Sequence, residues 1–451
     1  MLLSCHNSQK NSSFSGVDDK IRLITLAPGH FHAALIQKNP LEQIDPNVFV
    51  YAPEGKELDA HLALINSYNT RSENPAHWNE IVYTGPDFLE KMLTEKKGNI
   101  VMLAGNNQQK TNYLLQSVKA GLHVLADKPM AIDGSSFLML EKAYANARQK
   151  GVLIYDMMTE RYVDYNIVSR LLMQEEALFG ELQKGTPDDP AVSFMSIHHF
   201  YKEVSGKPLI RPAWYYDVRQ QGEGITDVTT HLIDLAHWKC FPDIPIDFRK
   251  DIQLTDASHW PTGLTKYDFC RSTQLSDFPS YLTVDPDSLL RVYANGTIRY
   301  VVKDIHVEIS VSWNVEAPEN AGDIHKSVIK GTKATLFVLQ GEEQGYKPKL
   351  YIKKNEQMND DTFLFCLEEA IEKLKPDYIV EVIDTYDNMK ELAIHPKIKS
   401  THEDHFSFVA DQFFEYFKEG NMPDWEIANT LSKYYVTTTA LEMARRKDNK
   451  N

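Results

Sequence analysis

Six short apolar runs, separated by stretches of helical spacing, occupy residues 20–158. They are Lys20–Leu26, Val48–Tyr51, Trp78–Thr84, Asn99–Ala104, His123–Ala126 and Val152–Tyr155, with helices expected at Asp87–Lys96, Thr111–Ala120 and Ser135–Gln149. Runs this apolar belong in a parallel sheet covered on both faces, and alternation of strand with helix builds right-handed βαβ units. Residues 20–158 therefore predict an α/β unit, a Rossmann-type doubly wound parallel sheet at the N-terminal side. Ligands of such sheets bind beyond the carboxyl ends of the strands.

Four strand ends carry residues of interest. The first strand runs into Ala27-Pro28-Gly29-His30-Phe31-His32, where a dinucleotide fold wants glycines for a tight turn and a close approach of the pyrophosphate. Gly29 fits one glycine slot; Pro28, His30 and Phe31 flank it. After the second strand Glu54 is the carboxylate available to a ribose hydroxyl, displaced from the usual place, so NAD and NADP both remain open. The fourth ends in Gly105-Asn106-Asn107. The fifth ends in Asp127-Lys128-Pro129, which aims a lysine beyond the sheet; Pro129 restricts its own backbone and that of Lys128. Without further support this is a loop lysine before a turn proline.

Residues 159–451 read differently. A helix is expected at Val163–Leu178, then strands at Val192–Tyr201, Leu289–Ala294, Thr297–Val315, His325–Lys330 and Thr335–Leu339, with Asn295-Gly296 as a hairpin turn. Short connections between neighbouring strands predict an α+β domain on a largely antiparallel open sheet with helices. Two amphipathic helices, Phe406–Lys418 and Trp425–Arg446, close the chain. Gly222-Glu223-Gly224 precedes a segment with Asp227 and His231, whose spacing places both on one helical face, the carboxylate beside the imidazole. Arg211, Trp214 and Tyr215 offer aromatic faces and polar tips for a sugar, and His237 extends the His231 face.

The net charge of −15 argues against nucleic acid, which needs a basic face. No apolar run reaches transmembrane length. Cys5, Cys240, Cys270 and Cys366 are too scattered for a metal knuckle or a disulfide framework. Residues 1–19 read as a flexible tail in which Leu2-Leu3-Ser4-Cys5 looks like a bacterial lipobox. Localisation is open between cytoplasmic and lipid-anchored through Cys5.

The segment Gly121-Leu-His-Val-Leu-Ala-Asp-Lys-Pro129 resembles the Glu-Lys-Pro stretch of the glucose–fructose oxidoreductase/inositol dehydrogenase (Gfo/Idh/MocA) family, with Asp127 in place of Glu. Asp227, His231 and Asp234 match the acidic and histidine positions of a second family motif. The Ala-Pro-Gly-His-Phe-His and Gly-Glu-Gly-Ile segments look like a branch of Bacteroidetes-type bacteria. The resemblance implies NAD or NADP held near Pro28, Gly29, His30, Phe31, Glu54, Gly105, Asn106, Asn107, Asp127, Lys128 and Pro129. It implies Lys128, Asp227 and His231 as the catalytic group, with Asp227 orienting His231. It also implies a carbohydrate or cyclitol substrate, a subunit contact through the second sheet, and a cis Lys128–Pro129 bond. Three other readings stay open: transient sugar oxidation by a glycosidase or hydratase, metal-assisted chemistry through His30, His32, His198, His199 and His231, and a non-catalytic sugar sensor. No histidines have tight metal-ligand spacing, so no metal site is expected.

Overall fold

The computed structural model describes residues 20–204, 207–319, 321–385 and 388–449. Cys5 and the tail that holds it lie outside these residues. The first sheet is formed by β1 (Leu23–Leu26), β2 (Asn47–Tyr51), β3 (Asn79–Tyr83), β4 (Ile100–Leu103), β5 (His123–Ala126) and β6 (Ile154–Asp156). All pairs are parallel, in the order β3-β2-β1-β4-β5-β6, so the order reverses between β1 and β4. That reversal opens a crevice at the strand ends.

The helices of this half are α1 (His32–Leu35), α2 (Lys56–Thr70), α3 (Phe88–Glu95), α4 (Asn107–Lys119) and α5 (Gly134–Lys150). α4 starts a turn before its expected position, because the Asn106 side chain accepts from Gln108 N and caps it. α1 is a single turn, too short to cover its sheet face. The missing cover comes from the far end of the chain. The helix at Asp404–Glu419 inserts Phe406, Val409, Phe413 and Phe414 against Leu23, Ile100, Met102 and Tyr155. Each fully buried phenylalanine is worth roughly 2–3 kcal/mol of apolar transfer.

The chain continues through α6 (Asp164–Met173), β7 (Val192–Tyr201), the two-residue strands β8 (Glu203–Val204) and β9 (Lys207–Pro208), α7 (Val218–Gln221) and α8 (Thr229–Cys240). It goes on with β10 (Ile252–Leu264), α9 (Lys266–Thr273), β11 (Leu290–Val302), β12 (Ile305–Glu316), β13 (Ile324–Lys330), β14 (Ala334–Gln340) and β15 (Lys349–Lys354). Last come α10 (Asp360–Leu374), β16 (Tyr378–Asp384), β17 (Met389–Pro396), α11 (Asp404–Glu419) and α12 (Asp424–Asp448). The second sheet has the order β10-β11-β12-β7-β13-β14-β15-β17-β16 and is antiparallel except where β7 meets β12.

Asn295-Gly296 is not a hairpin turn. Both residues lie inside β11, and the chain reverses at Lys303-Asp304, whose φ values of 46° and 69° suit a tight turn between two strands. The Asn295 side chain instead donates to Trp260 O and Thr262 Oγ1 and accepts from Trp313 N, bridging a register shift in β10. Gly296 leaves room for Ile225, which a Cβ would meet at 3.0 Å. β10 itself escaped the sequence reading because Asp256, Ser258, His259 and Pro261 interrupt its apolar alternation.

α12 joins the two halves, packing on β10, α5 and α8. Lys433, on this helix, has its Nζ 2.8 Å from Asp156 Oδ2 at the end of β6 and 3.0 Å from Asp234 Oδ1 on α8. Arg161 is bidentate on Asp234 and also donates to Glu426. All five side chains are buried. Cys240, Cys270 and Cys366 are free, half-buried thiols.

Candidate active site

Two glycines shape the crevice at the β1 and β4 ends. A Cβ on Gly105 would lie 2.7 Å from Ala27 O and from Gly29 N, so the two strand ends meet backbone to backbone. Gly29 N and His30 N both donate to Ala104 O. Beside this turn a cleft of about 220 Å³ is lined by Pro28, Glu54, Glu57, Gly105, Asn106 and Lys110, among others. Thr84 donates to Glu54 Oε1 over 3.3 Å, keeping Glu54 at the tip of β2. Asn107 Oδ1 is buried with no hydrogen-bond partner. A crevice at the switch point with a carboxylate at the β2 end fits a dinucleotide.

Asn106 and Asn107 also reach across to the second half. Asn106 Nδ2 donates to Gln220 Oε1 and Asn107 Nδ2 to Gln221 O, which tie the start of α4 to α7. A third tie runs from Trp214 Nε1 to Glu57 Oε1 over 2.5 Å.

Lys128 follows β5, and its peptide bond to Pro129 is cis. Its Nζ stands 2.8 Å from Asp227 Oδ1, and Gln221 Nε2 donates to the other oxygen of that carboxylate. Burial works against the charge on Lys128, but Asp227 and Asp127 outweigh it and hold the ammonium above its ordinary range. Burial likewise opposes ionisation of Asp227, and Lys128 more than reverses it, so the carboxyl is held below its ordinary range.

Asp227 does not sit on the helix with His231. It closes a 3-10 turn, Gly224–Thr226, and has left helical geometry with ψ −85° before α8 begins at Thr229. Hydrogen bonds commit it to Lys128 and Gln221, so the expected direct orientation of His231 is absent. The turn is forced by packing: a Cβ on Gly224 would fall 1.8 Å from Ala294 O on β11.

His231 lies in the first turn of α8, with Nδ1 buried and unpartnered. Burial, and next the charge of Lys128, lower its pKa to about 3, so the imidazole rests neutral and holds a proton only weakly. It lines a cavity of about 330 Å³ with Glu160, Tyr165, His198, Lys202, Asp323 and His325, among others. Register places Asp323 opposite His198, since Ile324 pairs with Ile197. Asp323 takes Lys202 at 2.7 Å and both His198 and His199 at 3.1 Å. Phe194, Val228, Leu232 and Leu235 give the same cavity an apolar wall. Sequence reading named His198 and His199 only as possible metal donors and missed Glu160, Lys202, Asp323 and His325. The His198-His199 doublet at a strand end was the available signal; Asp323, set in a loop, gave none.

Arg211, Trp214 and Tyr215 do come together. They line a second cleft, about 550 Å³, with Gly29, His30 and Phe31. Arg211 spends two donors on Phe200 O and His199 O and stacks over Tyr215, so much of it is structural. His237 is in neither cavity lining: it is 1 % exposed, with Nε2 3.0 Å from the Tyr300 hydroxyl, and its place as a substrate contact is withdrawn. It lies six residues beyond His231 on α8, and the helix has by then turned it into the core against Tyr300 of β11.

The family described as "Oxidoreductase family, NAD-binding Rossmann fold" matches residues 31–156, and the one described as "Putative oxidoreductase C terminal domain" matches residues 168–445. A solved "putative oxidoreductase" from Parabacteroides merdae is 47% identical, with TM-score 0.92 over 95% of this chain and 98% of that one. Levoglucosan dehydrogenase, solved with NADH and levoglucosan, has TM-score 0.59 at 12% identity over 95% of this chain and 98% of its own. A 3-ketoreductase from Actinomadura kijaniata, solved with NADP, has TM-score 0.54 at 13% identity over 94% and 98%. At these low identities the last two speak for the fold alone. No curated protein matches the chain.

Proposed function

Since this chain belongs to the Gfo/Idh/MocA oxidoreductase family, with its NAD-binding Rossmann domain, we propose that it oxidises or reduces a CH–OH group of a sugar, cyclitol or sugar derivative. The observation that carries this reading is a charged lysine and a neutral, unpartnered histidine held together beyond the strand ends. Oxidation removes a hydride from carbon and a proton from oxygen, and a nicotinamide, when bound, would supply the hydride acceptor. His231 takes the proton. Lys128, kept charged by Asp227, donates to the substrate oxygen and stabilises its developing negative charge. Pro28, Gly29, Glu54, Gly105, Asn106 and Asn107 hold the cofactor, and Phe31 and His30 border it.

The cavity beyond His231 receives the substrate. Its lining combines the polar Lys202, His198 and Asp323 with the apolar Phe194, Val228, Leu232 and Leu235, which suits a ring carrying both hydroxyl and C–H surface. Arg211, Trp214 and Tyr215 line the neighbouring cleft, where a longer substrate would extend. A homo-oligomer would use the second sheet, whose edge strand β16 leaves Ile379, Val382 and Ile383 exposed.

Mass spectrometry of the nucleotide released on denaturation, with fluorescence titration of NADH and NADPH, tests the first half. Neither nucleotide bound at millimolar concentration would end the reading. His231→Ala tests the second half: turnover on a responding sugar falls about 100- to 10,000-fold, with nucleotide affinity unchanged. Wild-type turnover in that folded variant would remove His231 as the base.

A further inference from the structure

His30, His32 and Asp127 form a cluster at the edge of the proposed cofactor cleft, and the proposed reaction gives their donor atoms no chemical step. His32 Nδ1 is 3.0 Å from Asp127 Oδ2, and His30 Nδ1 is 3.9 Å from the same oxygen. All three donor atoms lie within 4.8 Å of one another. The turn after β1 supplies both histidines, and the end of β5 supplies the carboxylate.

A hydrogen-bonded pair accounts for His32 and Asp127 and needs no third group. His30 does not fit that account. Its Nδ1 is beyond hydrogen-bond reach of Asp127, yet it faces that oxygen, and what it receives is a long 3.4 Å approach from His32 N. The ring planes of the two histidines stand at 80° with centroids 4.0 Å apart, so they meet edge to face and do not stack. Zinc–nitrogen and zinc–oxygen bonds of about 2.0–2.1 Å put tetrahedral ligands about 3.3 Å apart. The separations of 3.0 and 3.9 Å bracket that value. Two imidazoles and a carboxylate are a donor set for zinc-class ions, and three protein ligands leave a position open.

We propose that His30, His32 and Asp127 bind one divalent cation of the zinc class. The site goes beyond the redox reading and does not depend on it. Asp127 is the anionic ligand and is nearly fully buried, while the histidines are half-buried and His30 lines the larger cleft, which gives the ion a way in. Lys128 and Lys110 stand close by and oppose a dication. Lys128 is already paired with Asp227, and Lys110 Nζ donates to Asp127 O, so neither occupies the carboxylate.

The test uses the full chain without a histidine tag, stripped with a chelator, titrated with zinc chloride by calorimetry and counted by elemental mass spectrometry after dialysis. About one zinc per chain is expected. His30→Gln and His32→Gln each weaken binding by about 100-fold or more, whereas His77→Gln, at an exposed loop position, leaves it unchanged. Should His32→Gln misfold, His30→Gln still decides, because that side chain holds no short hydrogen bond of its own. Substoichiometric zinc in the wild type, or unaltered binding in folded His30→Gln, overturns the proposal. NADH titration of the same samples separates that failure from a failure of the redox reading.

Discussion

Replacing Lys433 with Met removes the cation that α12 delivers to the junction of the two halves. Its side chain is 0% exposed, and its ammonium touches Asp156 at 2.8 Å and Asp234 at 3.0 Å. With an effective dielectric of about 20, each contact is worth about 6 kcal/mol of gross attraction. Desolvating the ammonium returns several kcal/mol per ion, and breaking a buried pair costs about 3–5 kcal/mol in practice. We therefore expect about 4 kcal/mol of destabilisation at pH 8. With about 2.1 cal/mol/K of unfolding entropy per residue over 451 residues, that is a fall in Tm of about 4 °C. The sign of the pH effect follows from Asp156. Burial raises its pKa and Lys433 opposes that rise. Without the lysine the folded carboxyl binds a proton at a pH where the unfolded one does not, so the variant recovers stability relative to wild type as pH falls from 8 toward 5.5. Urea unfolding of both proteins across that range, followed by tryptophan fluorescence, measures the gap. A gap under about 1 kcal/mol at pH 8, or one that does not narrow on acidification, would refute the assignment of Lys433 as the charge balancing two buried carboxylates.

Further outcomes follow from the site. Gly224→Ala places a methyl group on Ala294 O, so the 3-10 turn must move; we expect a loss of about 3 kcal/mol or more by urea unfolding, and a variant as stable as wild type would contradict the packing argument. Asp227→Asn strips Lys128 of its main electrostatic support, so the alkaline limb of the rate–pH profile moves to lower pH; an unmoved limb would mean that Lys128 does not set it. Burial holds His237 neutral with a pKa of about 3 and His123 with one of about 4. Below pH 6.5 the unfolded chain binds protons that these folded histidines refuse, so stability rises with pH in that window and at pH 5 each costs about 2 kcal/mol, checked by comparing unfolding at pH 5 and 7.

The parallel sheet was legible because its strands are short, apolar and spaced by helical patterns, and each of the six predicted runs overlaps a strand. The lysine at the end of β5 was legible because Pro129 follows it. Chemistry carried by loops and by register was not. Asp323 meets His198 because β13 ends opposite it, a fact of pairing that no local pattern encodes. His237 read as the next step along the His231 face, yet six residues on from His231 a helix has turned about 240° away, and there Tyr300 receives it. Asn295-Gly296 had the composition of a hairpin turn, but Asn295 answers three partners across β10 and β12 from within β11.

The spacing of Asp227 and His231 misled in a way that bears on mechanism. Four residues apart predicts contact only if both lie in one helix. Gly224 is pressed against β11, which winds the chain into a 3-10 turn and turns the Asp227 carboxylate toward Lys128. In the proposed reaction the acid then acts on the base through the lysine. Asp227 keeps Lys128 charged, and after burial the charge of Lys128 is what lowers the His231 pKa most, so His231 rests neutral but binds a proton weakly. A carboxylate bonded directly to His231 would stabilise the imidazolium that forms on proton uptake and make the histidine a stronger base. The departure from the helix therefore leaves His231 unprotonated at rest at a cost in proton affinity, and shifts the work of acidifying the substrate hydroxyl to the charged Lys128.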